Sequence, residues 1–185
     1  MANVDFWYEF ASTYSYPAAM RVEALAAARG INLTWRPFLL GPIFAAQGWR
    51  DSPFNIYPVK GRYMWRDMRR ICDRLGLPLT RPDPFPQHSL LATCVAFILD
   101  ESVRPAFSRS VYLAEFGEGP PIAETTTLVP LIEALGLQAQ DIIERAQSAD
   151  SKERLRIECS RAAEIGLPSA TCLVAADGEV FWGND

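Results

Sequence analysis

The chain opens on an alternation of apolar and polar positions. In residues 3–10, NVDFWYEF, Val4, Phe6, Tyr8 and Phe10 fall on one face and Asp5, Trp7 and Glu9 on the other, the two-residue period of a strand. The segment Ser12-Thr13-Tyr14-Ser15-Tyr16-Pro17 follows, with hydroxyls suited to capping a helix and a proline suited to its first turn. The alanine-rich run 18–29, closed by Gly30, predicts that helix. Ile31, Leu33 and Trp35 then alternate with Asn32, Thr34 and Arg36 up to Pro37, which predicts a second strand. Strand, helix and strand of these lengths imply a right-handed β-α-β unit with a parallel pair.

Residues 37–59 contain Pro37, Pro42, Pro53 and Pro58 and predict an irregular connection. From Lys60 to about Asp150 the period is helical, with helices expected over 60–75, 87–102, 105–117, 126–135 and 139–147. Asp150 with Glu153 three residues later resembles a capping box opening a helix to Ile165, with Gly166 as its stop. Residues 170–175 read as a short apolar strand, Asp177-Gly178 as a hairpin turn, and 179–182 as the returning strand. The order βαβ, helices, helix, ββ predicts an α/β protein, a thioredoxin-like sheet with a large all-helical insertion. Residues 1–40 plus 150–185 are then the discontinuous thioredoxin-like domain, and 41–149 the insertion. A final helix normally covers one face of such a sheet, and it is missing before Asp185. The expectation is that the natural chain continues, or that a dimer partner or neighbouring helix covers that face.

Composition narrows the function classes. With 185 residues, 49% of them hydrophobic and 22% charged, the chain is long enough for a real core and too apolar for disorder. Eighteen Lys and Arg against 22 Asp and Glu give a formal charge of −4, which offers no general attraction to nucleic acid or an anionic membrane. No apolar run approaches the roughly 20 residues of a membrane span. The opening MANVDFWYEF lacks the basic and apolar regions of a secretory signal, so a cytoplasmic location is expected. Cys72, Cys94, Cys159 and Cys172 form no CxxC pair and His88 is the only histidine, which argues against a metal site and a disulfide framework and for buried thiols.

The first candidate site is the junction of strand one and helix one, since ligands of α/β sheets bind beyond the carboxyl ends of the strands. Ser12 stands there. Helix-one amides and their partial positive charge suit an anion such as a thiolate, and a serine hydroxyl adds one donor. A thioredoxin-type redox site would carry a CxxC here, whereas this chain has Ser12-Thr13-Tyr14-Ser15, without a thiol for disulfide exchange. Helix capping is the competing role for Ser12 and Ser15. The second candidate is Gly166-Leu167-Pro168-Ser169, where Pro168 is expected to be cis and to expose the Leu167 backbone to a peptide-like ligand. The third is Trp182-Gly183-Asn184-Asp185, polar groups leaving the last strand.

The ordered segments VDFWYEFASTYSYPA, RPFLLGPIF, PVKGRYMWRDM, GLPSATCLV and GEVFWGND resemble 2-hydroxychromene-2-carboxylate isomerases, in the DsbA-like branch of the thioredoxin superfamily with kappa-class glutathione transferases. The resemblance implies a glutathione-dependent isomerase of an aromatic-degradation intermediate, usually a homodimer. It implies that Ser12 activates the glutathione sulfur and that Lys60 lies near the glutathione site. Leu167, before the cis Pro168, would pair with the cysteinyl backbone, and Asn184 and Asp185 would receive the γ-glutamyl end. Thr13 stands where many relatives have proline. Trp49 aligns with a family asparagine, leaving Asn55 as its substitute. Phe54 and Tyr57 join Trp49 and Asn55 as candidate substrate contacts, while Tyr63 and Trp65 suit a pocket wall or a core equally. Two alternatives stand beside this reading: a kappa-like glutathione transferase or peroxidase acting on other electrophiles, and a non-catalytic thioredoxin-like module that binds peptides.

Overall fold

The computed structural model describes residues 2–183. Four strands, β1 (Ala2–Tyr8), β2 (Ile31–Pro37), β3 (Cys172–Ala175) and β4 (Val180–Trp182), form one mixed sheet in the order β2-β1-β3-β4. β1 and β2 are parallel with Phe6 opposite Trp35, while β3 runs antiparallel to β1 with Trp7 opposite Cys172. β3 and β4 form the expected hairpin, with Gly178 in the left-handed region at φ 89° that its tight turn requires.

The alternation of β1 divides the core. Phe6 and Tyr8 pack edge-on against Trp35 at 4.8 and 5.2 Å between ring centres, and the Tyr8 hydroxyl meets Ser108 Oγ at 2.7 Å. Helix α1 (Ser15–Ala28) covers this side. On the other side Trp7 packs on Phe38, and Asp5 and Glu158 both reach Arg36, at 3.3 and 3.6 Å, which lays the last helix across that face. Along β4, Phe181 sits opposite Leu173 and is 52% exposed.

Between β2 and β3 the chain is helical: α2 (Leu40–Ala46), α3 (Pro53–Ile56), α4 (Pro58–Leu75), α5 (Leu90–Ile98), α6 (Arg104–Tyr112), α7 (Thr125–Glu133), α8 (Ala139–Gln147) and α9 (Ala149–Ile165). α2 and α3 correct the expectation that 37–59 is irregular. Their prolines sit in first helical turns, where a missing N–H has no helical acceptor to lose, so they open helices rather than break them. Ser52 caps α3 by accepting from the Phe54 N–H. The corner between α3 and α4 needs glycine, because a Cβ on Gly61 would stand 2.2 Å from the Phe54 carbonyl oxygen. The capping box at Asp150 is also corrected. Ser148, in extended conformation, is the cap and accepts from the Ser151 N–H at 3.1 Å, while Glu153 pairs with Arg156.

One side chain ties the helices to the sheet. Arg104 donates to the carbonyls of Ala96, Phe97 and Leu99 at the end of α5 and to the Trp35 carbonyl of β2. No helix among the described residues is long and apolar enough to cross a membrane.

Candidate active site

The candidate site is the turn between β1 and α1, and Glu9 shapes that turn. Its carbonyl accepts from the Ser12 N–H at 3.1 Å and from the Tyr112 hydroxyl at 2.9 Å. Its buried carboxylate accepts from the N–H of Ala11, the first N–H of α2 at Leu40, and the hydroxyl of Ser89 ahead of α5. Burial pushes the Glu9 carboxyl above its ordinary range, and these donors pull the other way. One acidic residue at the end of a hydrophobic strand thereby pins the turn to both neighbouring helices.

Ser12 does not cap α1. The helix begins at Ser15 after Tyr14, with no side-chain cap, and the Ser12 hydroxyl instead donates to the Ala170 carbonyl at 3.0 Å. The Ser15 hydroxyl points inward, where Thr171 Oγ1 donates to it at 3.0 Å. These two bonds lock the start of α1 to the segment entering β3. Ser12 is half-exposed and stands three residues ahead of Ser15, at the positive end of α1. The junction carries a hydroxyl at Ser12 and no cysteine between Ser12 and Ser15.

The expectation for Leu167 and Pro168 is overturned. The Leu167–Pro168 bond is trans, and cis bonds occur at Asp83–Pro84, Phe85–Pro86 and Ala170–Thr171. Gly166 turns left-handed at φ 85°, and the buried Leu167 donates its N–H to the Ala162 carbonyl, which finishes α9. Leu167 and Pro168 therefore belong to a helix terminus. They line a largely apolar groove of about 730 Å³ between α2 and α9, with Leu39, Ile43, Leu155 and Ala163. The backbone that meets Ser12 is that of Ala170.

The third candidate reaches the same place only in part. The Gly183 N–H donates to the Thr171 carbonyl at 3.0 Å, bringing the end of β4 to the strand-entry segment. Asn184 and Asp185 lie outside the described residues.

The proposed substrate contacts divide. The Tyr14 ring packs against Phe54 and its hydroxyl donates to Asp67 of α4 at 3.0 Å, so Phe54 borders the site through Tyr14. Burial and the Asp67 carboxylate raise the Tyr14 hydroxyl above its ordinary value. Lys60 is exposed, its ammonium 4.7 Å above the Tyr57 ring. The Asn55 amide donates to Asp51 and to the Phe85 carbonyl, and Trp49 packs on Phe44. The four cysteines are buried and unpaired, with burial pushing Cys72, Cys159 and Cys172 up to about 11. Sequence reasoning missed Glu9, Ala170 and Thr171, and read Ser15 only as a helix cap, whereas its hydroxyl accepts from Thr171. Only Glu9 left a signal, an acid at a position flanked by buried aromatic residues.

This geometry, a thioredoxin-type junction with serine in place of cysteine, agrees with comparison to known proteins. The DSBA-like thioredoxin domain family matches residues 3–185. The chain belongs to that family. This DSBA-like chain is 27% identical to the 2-hydroxychromene-2-carboxylate isomerase of Sphingobium xenophagum, covering 99% of this chain and 93% of the relative. It is 26% identical to glutathione S-transferase kappa 1 of Homo sapiens, over 99% of this chain and 86% of that protein. A solved 2-hydroxychromene-2-carboxylate isomerase superposes with a TM-score of 0.89 at 25% identity, covering 99% of this chain and 89% of the other.

Proposed function

We propose that this protein is a glutathione-dependent isomerase acting on 2-hydroxychromene-2-carboxylate or a similar ring-opened aromatic acid. The observation that carries the proposal is the Ser12 hydroxyl, held at the amino end of α1 opposite the Ala170 carbonyl. A thiol of ordinary pKa, about 8.5, is only a few per cent ionised at neutral pH. A serine donor and a helix amino terminus both favour the thiolate. The strand-entry backbone at Ala170, beside the half-exposed Ser12, suits an extended peptide-like ligand such as glutathione.

Glutathione, when bound, supplies a sulfur nucleophile that adds reversibly to a conjugated system, so that a former double bond can rotate before the sulfur leaves. In this reading Ser12 donates to the sulfur and the α1 amides hold its charge. Lys60 offsets a ligand carboxylate, while Tyr14, Phe54 and Tyr57 form an aromatic wall for the ring. The absence of a thiol at the junction favours this chemistry over disulfide exchange, and the similarity to a kappa-class transferase supports a second reading, conjugation of glutathione to other electrophiles. The test follows ultraviolet conversion of the hydroxychromene with and without glutathione, beside a conjugation assay. Glutathione-dependent conversion supports the isomerase, conjugation alone the transferase, and neither activity refutes both.

A further inference from the structure

We propose that the groove between α2 and α9 binds a straight-chain fatty acid of medium length, its carboxylate on Lys152 and its alkyl chain laid along the two helices. The lining of the groove does not include Ser12, and the inference stands apart from the glutathione reading.

Two helix stripes face each other across the groove. On α9 the lining positions are 152, 155, 156, 159, 160 and 163, and on the α2 side they are 39, 42, 43, 46 and 47, the spacing of three and four that keeps residues on one helix face. Ile43, Leu155 and Cys159 are buried and make the floor, while Pro42, Ala46 and Ala163 are exposed and too small to close it. The Leu39 N–H donates to Cys159 Sγ at 3.3 Å, which fixes the start of α2 against α9. A volume of about 730 Å³ falls within the range of small-molecule pockets. From Lys152 to Ala163 the α9 stripe runs about 16 Å at 1.5 Å per residue, a length that an extended chain fills and a single ring does not.

Charge selects the head group. Both charged residues of the lining, Lys152 and Arg156, are cationic. Arg156 is already held by both carboxylate oxygens of Glu153, at 2.8 and 2.7 Å. Lys152 has no ion pair among the described residues and lies beside the amino end of α9, where the helix is itself positive. A carboxylate placed there meets an unneutralised charge, and its methylenes leave water against Ile43, Leu155 and Cys159. A neutral alcohol of the same length gains only the second of these, and an anionic group midway along the chain would be desolvated over the apolar floor.

Equilibrium dialysis of the full chain against radiolabelled decanoate tests this. One equivalent should bind, and affinity should fall by up to about fourfold for each methylene removed from the chain. Lys152→Met keeps the apolar stem and should weaken decanoate roughly two- to fivefold, the scale of an exposed ion pair, while leaving decanol unchanged. Ala163→Trp and, separately, Ala46→Trp fill the groove from opposite walls and should abolish binding of acid and alcohol alike. A melting curve checks the fold of each, and the Lys152→Met comparison stands without them. Absence of decanoate binding, equal losses of acid and alcohol in Lys152→Met, or full binding by a folded tryptophan variant overturns the inference. So does a dimer in sedimentation that Ala163→Trp dissociates and decanoate does not, since the groove would then hold a second copy of the chain.

Discussion

Replacing Ser12 with alanine separates the chemical contribution of its hydroxyl from the structural one. In the proposed mechanism the chemical contribution is a hydrogen bond to a sulfur that carries charge, about 1.5–3 kcal/mol for such a bond. At about 1.4 kcal/mol per decade, turnover at saturating glutathione should fall roughly tenfold to 150-fold. It should not vanish, since the α1 terminus still contributes about 0.3–1 kcal/mol toward an anion. The structural contribution is the neutral bond to the Ala170 carbonyl, about 0.5–1.5 kcal/mol. For a chain of this size that lowers Tm by roughly 1–6 °C, so the variant remains folded at assay temperature. The assay is ultraviolet conversion of the hydroxychromene at saturating glutathione, with a thermal melt on the same preparation. Full retention of turnover refutes the reasoning, and so does a loss no larger than the loss of folded protein.

Glu115 is fully buried with neither carboxylate oxygen bonded among the described residues, and burial followed by the charge of Glu9 raises its carboxyl well above the ordinary value. A raised folded value means that the folded chain keeps a proton the unfolded chain has lost, so stability falls as pH rises above the ordinary carboxylate range, by about 1.4 kcal/mol per pH unit. Glu115→Gln should remove that slope in urea titrations run across the range, and an unchanged slope would contradict it. Thr171→Val removes the donor to buried Ser15 and should cost about 1–3 kcal/mol in urea denaturation, with Thr171→Ser retaining most of it. Replacing Cys72, Cys94, Cys159 and Cys172 together should leave glutathione-dependent turnover measurable in the folded variant, and in the native protein these thiols should react with a thiol reagent far faster after denaturation.

What the sequence revealed depended on how local the signal was. β1, β2 and the Asp177-Gly178 hairpin were legible because a two-residue period and a tight turn are properties of a few adjacent residues. The position of Ser12 at a strand-to-helix junction followed from the same local pattern. Its partner did not, because Ala170 meets Ser12 across the whole chain and nothing in GLPSATCLV marks which residue stands opposite the helix. Proline drew attention to Pro168, whereas α9 reaches through Gly166 to Leu167 and moves the site two residues onward, to Ala170. Glu9 read as one polar position of a strand, since its bonds to Leu40 and Ser89 exist only after α2 and α5 are placed.

The bonds that close the site join positions 158 and 156 residues apart, Ser12 with Ala170 and Ser15 with Thr171. Contacts of such separation form only after the intervening chain has ordered, because the entropy of closing the loop must be overcome first. During synthesis β1 and α1 emerge before β3, so β1 must wait for this antiparallel neighbour until residues 172–175 have left the ribosome. The aromatic residues of β1 are meanwhile without that neighbour, and prompt docking of β2 and the helices limits their exposure. A chain that stalls before residue 170 can be largely helical and compact and still have no second half to its site. Under the proposed function, turnover therefore reports the arrival of the segment entering β3, where helix content alone would not.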